Sequence, residues 1–313
     1  TAVEDITGNT LDAQGVVTLA ADEDASGNEI DTTGAVTVDA GGEISGGTVE
    51  TDSTVTLDAD LDVAGVAVNA AGTVDVGVTN ATNIAGLVID AGGDVTLTAD
   101  EDIQGGSVLT AGAADLDAEA GDIDGIAVLA DGLVDADADQ SVTNASFSST
   151  GASADVTAAN GSVTATDVNA FTMGTVLAQV DIVDGSVTSL GNASLTATAG
   201  EINGTTVQTD AAATLTSALD IAGISVDAAG GTLDAGEDIV DGSVSVTGAA
   251  DLDAAGDIAG AAVDADTATL DAVNIAGVEV NTDTTSVLTA TDSVQGGSVN
   301  AGTTADIIAN TGD

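Results

Sequence analysis

Six aspartates recur as pairs two residues apart: Asp22 with Asp24, Asp60 with Asp62, and Asp100 with Asp102. Carboxylates repeated at that spacing suit a hard divalent cation such as Ca2+, which takes carboxylate and carbonyl oxygens. These six are the candidate metal ligands. They do not sit in an established calcium loop. Asp58-Ala59-Asp60-Leu61-Asp62 lacks the glycine and distal glutamate of an EF-hand, and no GGxGxD array occurs. The competing reading is that aspartates here cap turns through their own backbone while their charge keeps the molecule soluble.

Little other chemistry is open to the chain. Its 313 residues include no Lys, Arg, His, Cys, Pro, Trp or Tyr. That removes thiolate, imidazole, amine and phenol, leaving carboxylates and hydroxyls as the only acids, bases or nucleophiles. The formal charge of −53 has no internal cation to offset it, so each carboxylate is solvated, hydrogen-bonded or neutralised by ions from solution. Nucleic acid is excluded as a partner, because phosphates need Lys or Arg and base stacking needs aromatics. Phe147 and Phe171 cannot make such a surface. The first residues, Thr1 to Ile6, lack the basic start and apolar run of a signal peptide. No run of eighteen apolar residues suggests insertion in a membrane.

High charge often accompanies disorder, but 43% of the residues are apolar, so something is buried. An internal repeat says how. Anchors fall at Ile6, Ala25, Ile44, Val63, Ile84, Ile103, Ile123, Val142, Val163, Ile182, Ile202, Ile221, Ile239, Ile258, Ile275 and Val294, sixteen coils of about nineteen residues. Five residues after each anchor the residue is always apolar, from Leu11 and Ile30 to Val280 and Val299. A third column, about thirteen residues after the anchor, reads Leu19, Val38, Leu57, Val76, Leu97 and Leu116, resuming with Leu195, Leu215, Leu252, Leu288 and Ile307. Around it the pattern alternates, as in Val17-Thr18-Leu19, which sends Val and Leu inward and Thr outward on a strand.

Each coil therefore reads as three short strands with tight corners, and the chain as an all-β parallel β-solenoid, or β-helix. A small residue two places after the anchor, such as Gly65 or Gly86, supplies the backbone angles a corner needs. The absence of Pro fits strands that must all donate N–H groups to a neighbouring coil. Helix is disfavoured by both the spacing and the Gly, Thr, Val and Asp content. Stacked coils would form a single domain over residues 1–313 roughly 75 Å long, or a segment of a longer repeat protein. Anchor spacings alternate between nineteen and a variable seventeen to twenty-one, which implies a duplicated two-coil unit with length variation at one corner.

Segments such as Asp5-Ile6-Thr7-Gly8 and Gly92-Gly93-Asp94-Val95-Thr96-Leu97-Thr98-Ala99 resemble the filamentous-haemagglutinin type of adhesin repeat. The resemblance implies a right-handed β-helix on a secreted bacterial surface protein. No secretion domain of that family is recognisable in the chain.

The stack puts acids in register. Immediately before the anchors stand Asp5, Asp24, Glu43, Asp62, Asp102, Asp122, Asp181, Glu201, Asp220, Asp238 and Asp257, with Asn or Ser elsewhere. This column repels itself, by on the order of 1 kcal/mol per exposed neighbour in water. Each inward Val, Ile or Leu contributes roughly 1.5–3 kcal/mol, so the core wins. The irregular stretch Val142–Val180, holding both Phe and Met173, reads as coils with a bulkier core filling. Sequons at Asn80, Asn144, Asn160, Asn192 and Asn203 suit an exported protein. Outward Thr18, Thr37, Thr56 and Thr96 are interrupted by Asp75, Asp115, Asp135 and Asp155, which argues against ice binding.

The function expected is a non-catalytic structural protein, extracellular or at the cell surface, associating head to tail through its end coils. The alternative is a stalk or adhesive segment of a large secreted adhesin with Ca2+ at its acidic corners. No cofactor is required, and cations are expected partners. A carboxylate enzyme acting on acidic polysaccharide is disfavoured, since a polyanion without Arg or Lys repels such a substrate.

Overall fold

A computed structural model describes residues 4–80 and 82–310, so Thr1 to Val3 of the opening stretch lie outside the described residues. Described residues are all β, with parallel strand pairing and no helix, wound as a solenoid of about 16 turns of about 19 residues. The chain comprises two compact units, Thr1–Ala159 and Asn160–Asp313.

In the first unit each coil has the three expected strands. The coil anchored at Ile44 runs Ile44–Ser45, Thr48–Thr51 and Val55–Ala59, and the next runs Val63–Ala64, Ala67–Ala70 and Val74–Val78. The three sequence columns stack in register: Ile44 pairs with Val63, Val49 with Val68 and Leu57 with Val76. All six are buried, while Glu50, Asn69 and Asp58 between them point outward. Period-two alternation thus becomes a dry interior and a wet exterior. A fourth column, Ala40, Ala59, Val78, Ala99 and Ala118, fills the end of the third strand with small buried side chains.

Polar side chains do enter the interior, at the end of the second strand, and each is satisfied. Thr51 Oγ1 donates to the Gly34 carbonyl at 2.6 Å and Ser149 Oγ to the Gly132 carbonyl at 2.6 Å; Thr110 donates likewise to Gly93. Among the described residues no buried side-chain nitrogen or oxygen lacks a partner. That removes the 1–3 kcal/mol penalty an orphaned buried group would carry.

The second unit keeps the columns but merges strands. Its anchor and second strands join as Val163–Ala170, Ile182–Ser189 and Ile202–Thr209, and two strands extend further still, Ala262–Ala276 and Glu279–Gln295. For the two longest strands the reason is corner length. Between Ile258 and Ile275 the coil loses residues at two corners, and pairing continues around it with register shifts only at Ala265/Thr267 and Ala272/Asn274. Each shift absorbs a bend as a bulge. Length variation is consequently not confined to one corner. In the first unit the extra residues near Asn80 lie between the third strand and the next anchor, whereas the shortening at Ala265/Thr267 lies between the second and third strands.

The corner after the anchor adopts left-handed backbone throughout. Glycine holds it in most coils, including Gly65 and Gly86, but Asn144 (φ 52), Ala165 (φ 49), Asp184 (φ 47) and Asp241 (φ 53) hold it elsewhere. Asn and Asp tolerate this region; an alanine there is strained, at roughly 1–2 kcal/mol. The bulkier-filling expectation for Val142–Val180 holds for Phe147, which is fully buried, and fails for the other two residues. Phe171 is 50% exposed and Met173 41%, because both lie in the corner between the second and third strands rather than on an inward column.

Candidate functional site

The column of acids before the anchors is the most regular polar feature of the fold. In the first unit Asp24 Oδ1 accepts the Glu43 amide at 2.9 Å, Asp62 Oδ1 that of Asn83 at 2.8 Å, Asp102 Oδ1 that of Asp122 at 2.8 Å and Asp122 Oδ1 that of Ser141 at 2.7 Å. Asn83 occupies the same position and accepts the Asp102 amide through Oδ1 at 3.0 Å. The second unit repeats the arrangement. Asp181 accepts from Glu201 (2.9 Å), Asp220 from Asp238 (2.9 Å), Asp238 from Asp257 (2.7 Å), and Ser162 Oγ from Asp181 (3.2 Å).

Short side chains explain the choice of residue. Asp, Asn and Ser can each turn an oxygen onto the peptide of the following coil, giving a corner amide an acceptor that the strand ladder does not reach. The residue before the recipient is glycine in several coils. A Cβ at Gly42 would meet Asp24 Oδ1 at 2.2 Å, at Gly121 Asp102 Oδ1 at 2.2 Å, and at Gly200 Asp181 Oδ1 at 2.1 Å. The Gly-acid-Ile sequences at Gly42, Gly121 and Gly200 were the visible signal of this bond, and spacing alone did not reveal it.

The six candidate metal ligands lie on this corner. Asp24, Asp62 and Asp102 are ladder members with one oxygen committed to the backbone, and Asp102 Oδ2 also accepts Gln104 Nε2 at 2.8 Å. Asp22 and Asp60 are exposed and Asp100 is half-buried; Asp60 Oδ1 accepts Thr79 Oγ1 at 3.4 Å. Among the described residues no three carboxylates converge as a metal centre requires.

A second set of acids stacks on the outer face of the third strands. Asp115, Asp135 and Asp155 are in register, with Asp117 and Asp137 beside them. Burial, then the nearby Asp137, holds the Asp115 carboxyl above its ordinary range. Burial does the same for Asp135, aided by Asp137, Asp115 and Asp155. Asp117 is raised by burial, then by Glu119, Asp137 and Asp115, and Asp253 in the second unit by burial, then by Asp271, Asp234 and Asp251. Asp124 moves the other way, because the Thr143 hydroxyl at 2.6 Å and the Asn144 amide at 3.1 Å both donate to it. On the same face Thr56 and Thr96 flank Asp75 in register, so no uninterrupted threonine array forms.

Sequon asparagines Asn80, Asn144, Asn160 and Asn192 are exposed and Asn203 is half-buried. Compared with family models, with curated proteins and with solved structures, the chain matches none of them.

Proposed function

We propose that this chain is a non-catalytic structural protein whose coils stack head to tail with those of further copies, building an extracellular filament. One observation carries the reading. Ile307 pairs with Leu288 in the inward column, yet it is 54% exposed where Leu288 is buried. Ile308 beside it is 46% exposed, and the strand Thr304–Ala309 presents a face that another coil would cover. At the first described coil Leu11 and Leu19 are half-buried where their successors Ile30 and Val38 are buried. Apolar columns that meet solvent at a sheet edge favour addition of another strand layer. A head-to-tail contact of unlike surfaces does not close, so it propagates. The extracellular placement rests on the adhesin-like repeat and the exposed sequons.

Electron microscopy and light scattering across a concentration series test this. Particles should lengthen with concentration and with salt, which screens the repulsion between ends. Ile307→Asp should hold them at unit length. Uniform particles at every concentration, unchanged by Ile307→Asp, would overturn the proposal. The same exposed column also suits a stalk of a filamentous-haemagglutinin-like adhesin, in which further coils of one chain cover Ile307 and Ca2+ decorates Asp22, Asp24 and their repeats. Additional coils downstream in the reading frame would select that reading.

A further inference from the structure

The second strands of the first unit carry a face unrelated to the stacking ends. From Thr10–Ala13 to Val88–Ala91 their outward side chains line a trough of about 620 Å3. Down it, in register, runs the column Asp12, Asp31, Glu50, Asn69 and Asp90. Unlike the corner aspartates, these four carboxylates accept no side-chain or backbone hydrogen bond among the described residues, and all are exposed. Beside them the trough wall turns apolar at Ala67 and Val88.

In the next two coils the same column changes character. Asp90 pairs with Leu109 and Leu109 with Leu129, exposed 46% and 43% respectively. Leu109 and Asp90 border an adjoining recess of about 420 Å3 that Ala71 and Ala111 also line. One continuous face therefore carries a carboxylate in four of five coils, with Asn69 in the other, and is then apolar for two.

We propose that this face binds an extended basic segment of another protein, its Lys or Arg residues set against Asp12, Asp31, Glu50 and Asp90 and an apolar residue at one end seated on Leu109 and Leu129. Charge complementarity selects the occupant. With no Lys or Arg in the chain, the cation must come from outside. A single metal ion does not fit carboxylates strung in a line about one strand spacing apart, roughly 4.8 Å, rather than converging. A second copy brings no Lys or Arg to set against these carboxylates. A small polyamine would use the acids and leave the leucines bare. From Asp12 to Leu129 is six coil spacings, about 29 Å, which an extended peptide of roughly nine residues spans.

The test is fluorescence anisotropy on the full chain at about 0.15 M salt, with two fluorescein-labelled peptides of about nine residues. Both carry Lys at alternate positions; one ends in Leu and the other in Ser. The triple variant Asp31→Asn/Glu50→Gln/Asp90→Asn should weaken binding about tenfold. A control removing the same charge elsewhere, Asp115→Asn/Asp135→Asn/Asp137→Asn, should change it less than about twofold. The wild-type chain should prefer the Leu-ended peptide, and Leu109→Ser/Leu129→Ser should erase that preference. All substituted residues lie on the outer face, and a cooperative circular dichroism melt with the wild-type β spectrum would show that each variant folds. Equal weakening by both triple variants would mean diffuse polyanion attraction and overturn the proposal. So would absence of binding, indifference to the terminal Leu, or equally tight binding of spermine with no effect from the leucine variant.

Discussion

Changing Asp122 to Ala and, separately, to Asn divides the hydrogen bond its carboxylate makes from the charge it carries. Asp122 Oδ1 accepts the Ser141 amide at 2.7 Å while its own amide donates to Asp102 Oδ1 at 2.8 Å. Truncation to Ala strips a part-buried amide of a charged acceptor, a loss of about 1.5–3 kcal/mol. It also removes a charge stacked one coil from Asp102, returning on the order of 1 kcal/mol before screening. The net expectation is a loss of about 0.5–2 kcal/mol. Asn keeps the acceptor in neutral form and gives the same relief of repulsion, so Asp122→Asn should stay within about 0.5 kcal/mol of wild type. Asn83 already does this job in the same column, accepting the Asp102 amide at 3.0 Å. Urea unfolding followed by circular dichroism, at constant salt, reads the difference as a shift in midpoint. If Asp122→Ala proved as stable as Asp122→Asn, the ladder bonds would contribute nothing, and the column would be only a line of surface charge.

Three further outcomes are expected. Ala165→Gly should stabilise the fold by about 0.5–1 kcal/mol, since relief of the strained left-handed backbone at φ 49 exceeds the chain entropy glycine adds; a lower melting temperature would refute this. Stability should rise on acidification from about pH 7 to about pH 4.5. The raised carboxyls of Asp115, Asp117, Asp135 and Asp253 contribute fully below the ordinary carboxylate range, and lose that contribution as pH climbs through their native pKa values. Asp124, lowered, contributes above that range and loses it only as pH falls through its native pKa, one group against four. A melting temperature that falls on acidification over this interval would contradict the sign. At fixed ionic strength, adding Ca2+ or a chelator should leave the melting transition in place; a shift of several degrees reversed by chelator would establish specific binding at Asp22, Asp24, Asp60, Asp62, Asp100 and Asp102.

The three inward columns were legible because burial imposes a period of two within strands and about nineteen between coils, and residues such as Val49, Val68 and Leu57 obey both. Corner chemistry was less legible. A glycine after the anchor announces a left-handed turn, whereas Ala165, Asp184 and Asp241 adopt the same backbone only because coils on either side dictate it. The acid column itself was legible, but its hydrogen bonds were not, because donor and acceptor sit a full coil apart and nothing local to Asp102 says that its oxygen faces the amide of Asp122. Phe171 looked like core by residue type, and its position outside every inward column decided otherwise. The trough was hidden for a different reason. Asp31, Glu50 and Asp90 are ordinary outward residues in an alternating pattern, and concavity belongs to the sheet rather than to any segment of it.

Nearly every bond described within a unit joins a coil to the one immediately before or after it, with partners such as Asp24 and Glu43 nineteen residues apart. Coil number is for that reason a heritable variable. A gain or loss of whole coils would still let the inward columns stack on one another, because each position pairs with its counterpart in the next coil. Selection could tune how many coils the molecule carries without revising a single core residue, a freedom that proteins with one shared interior do not have.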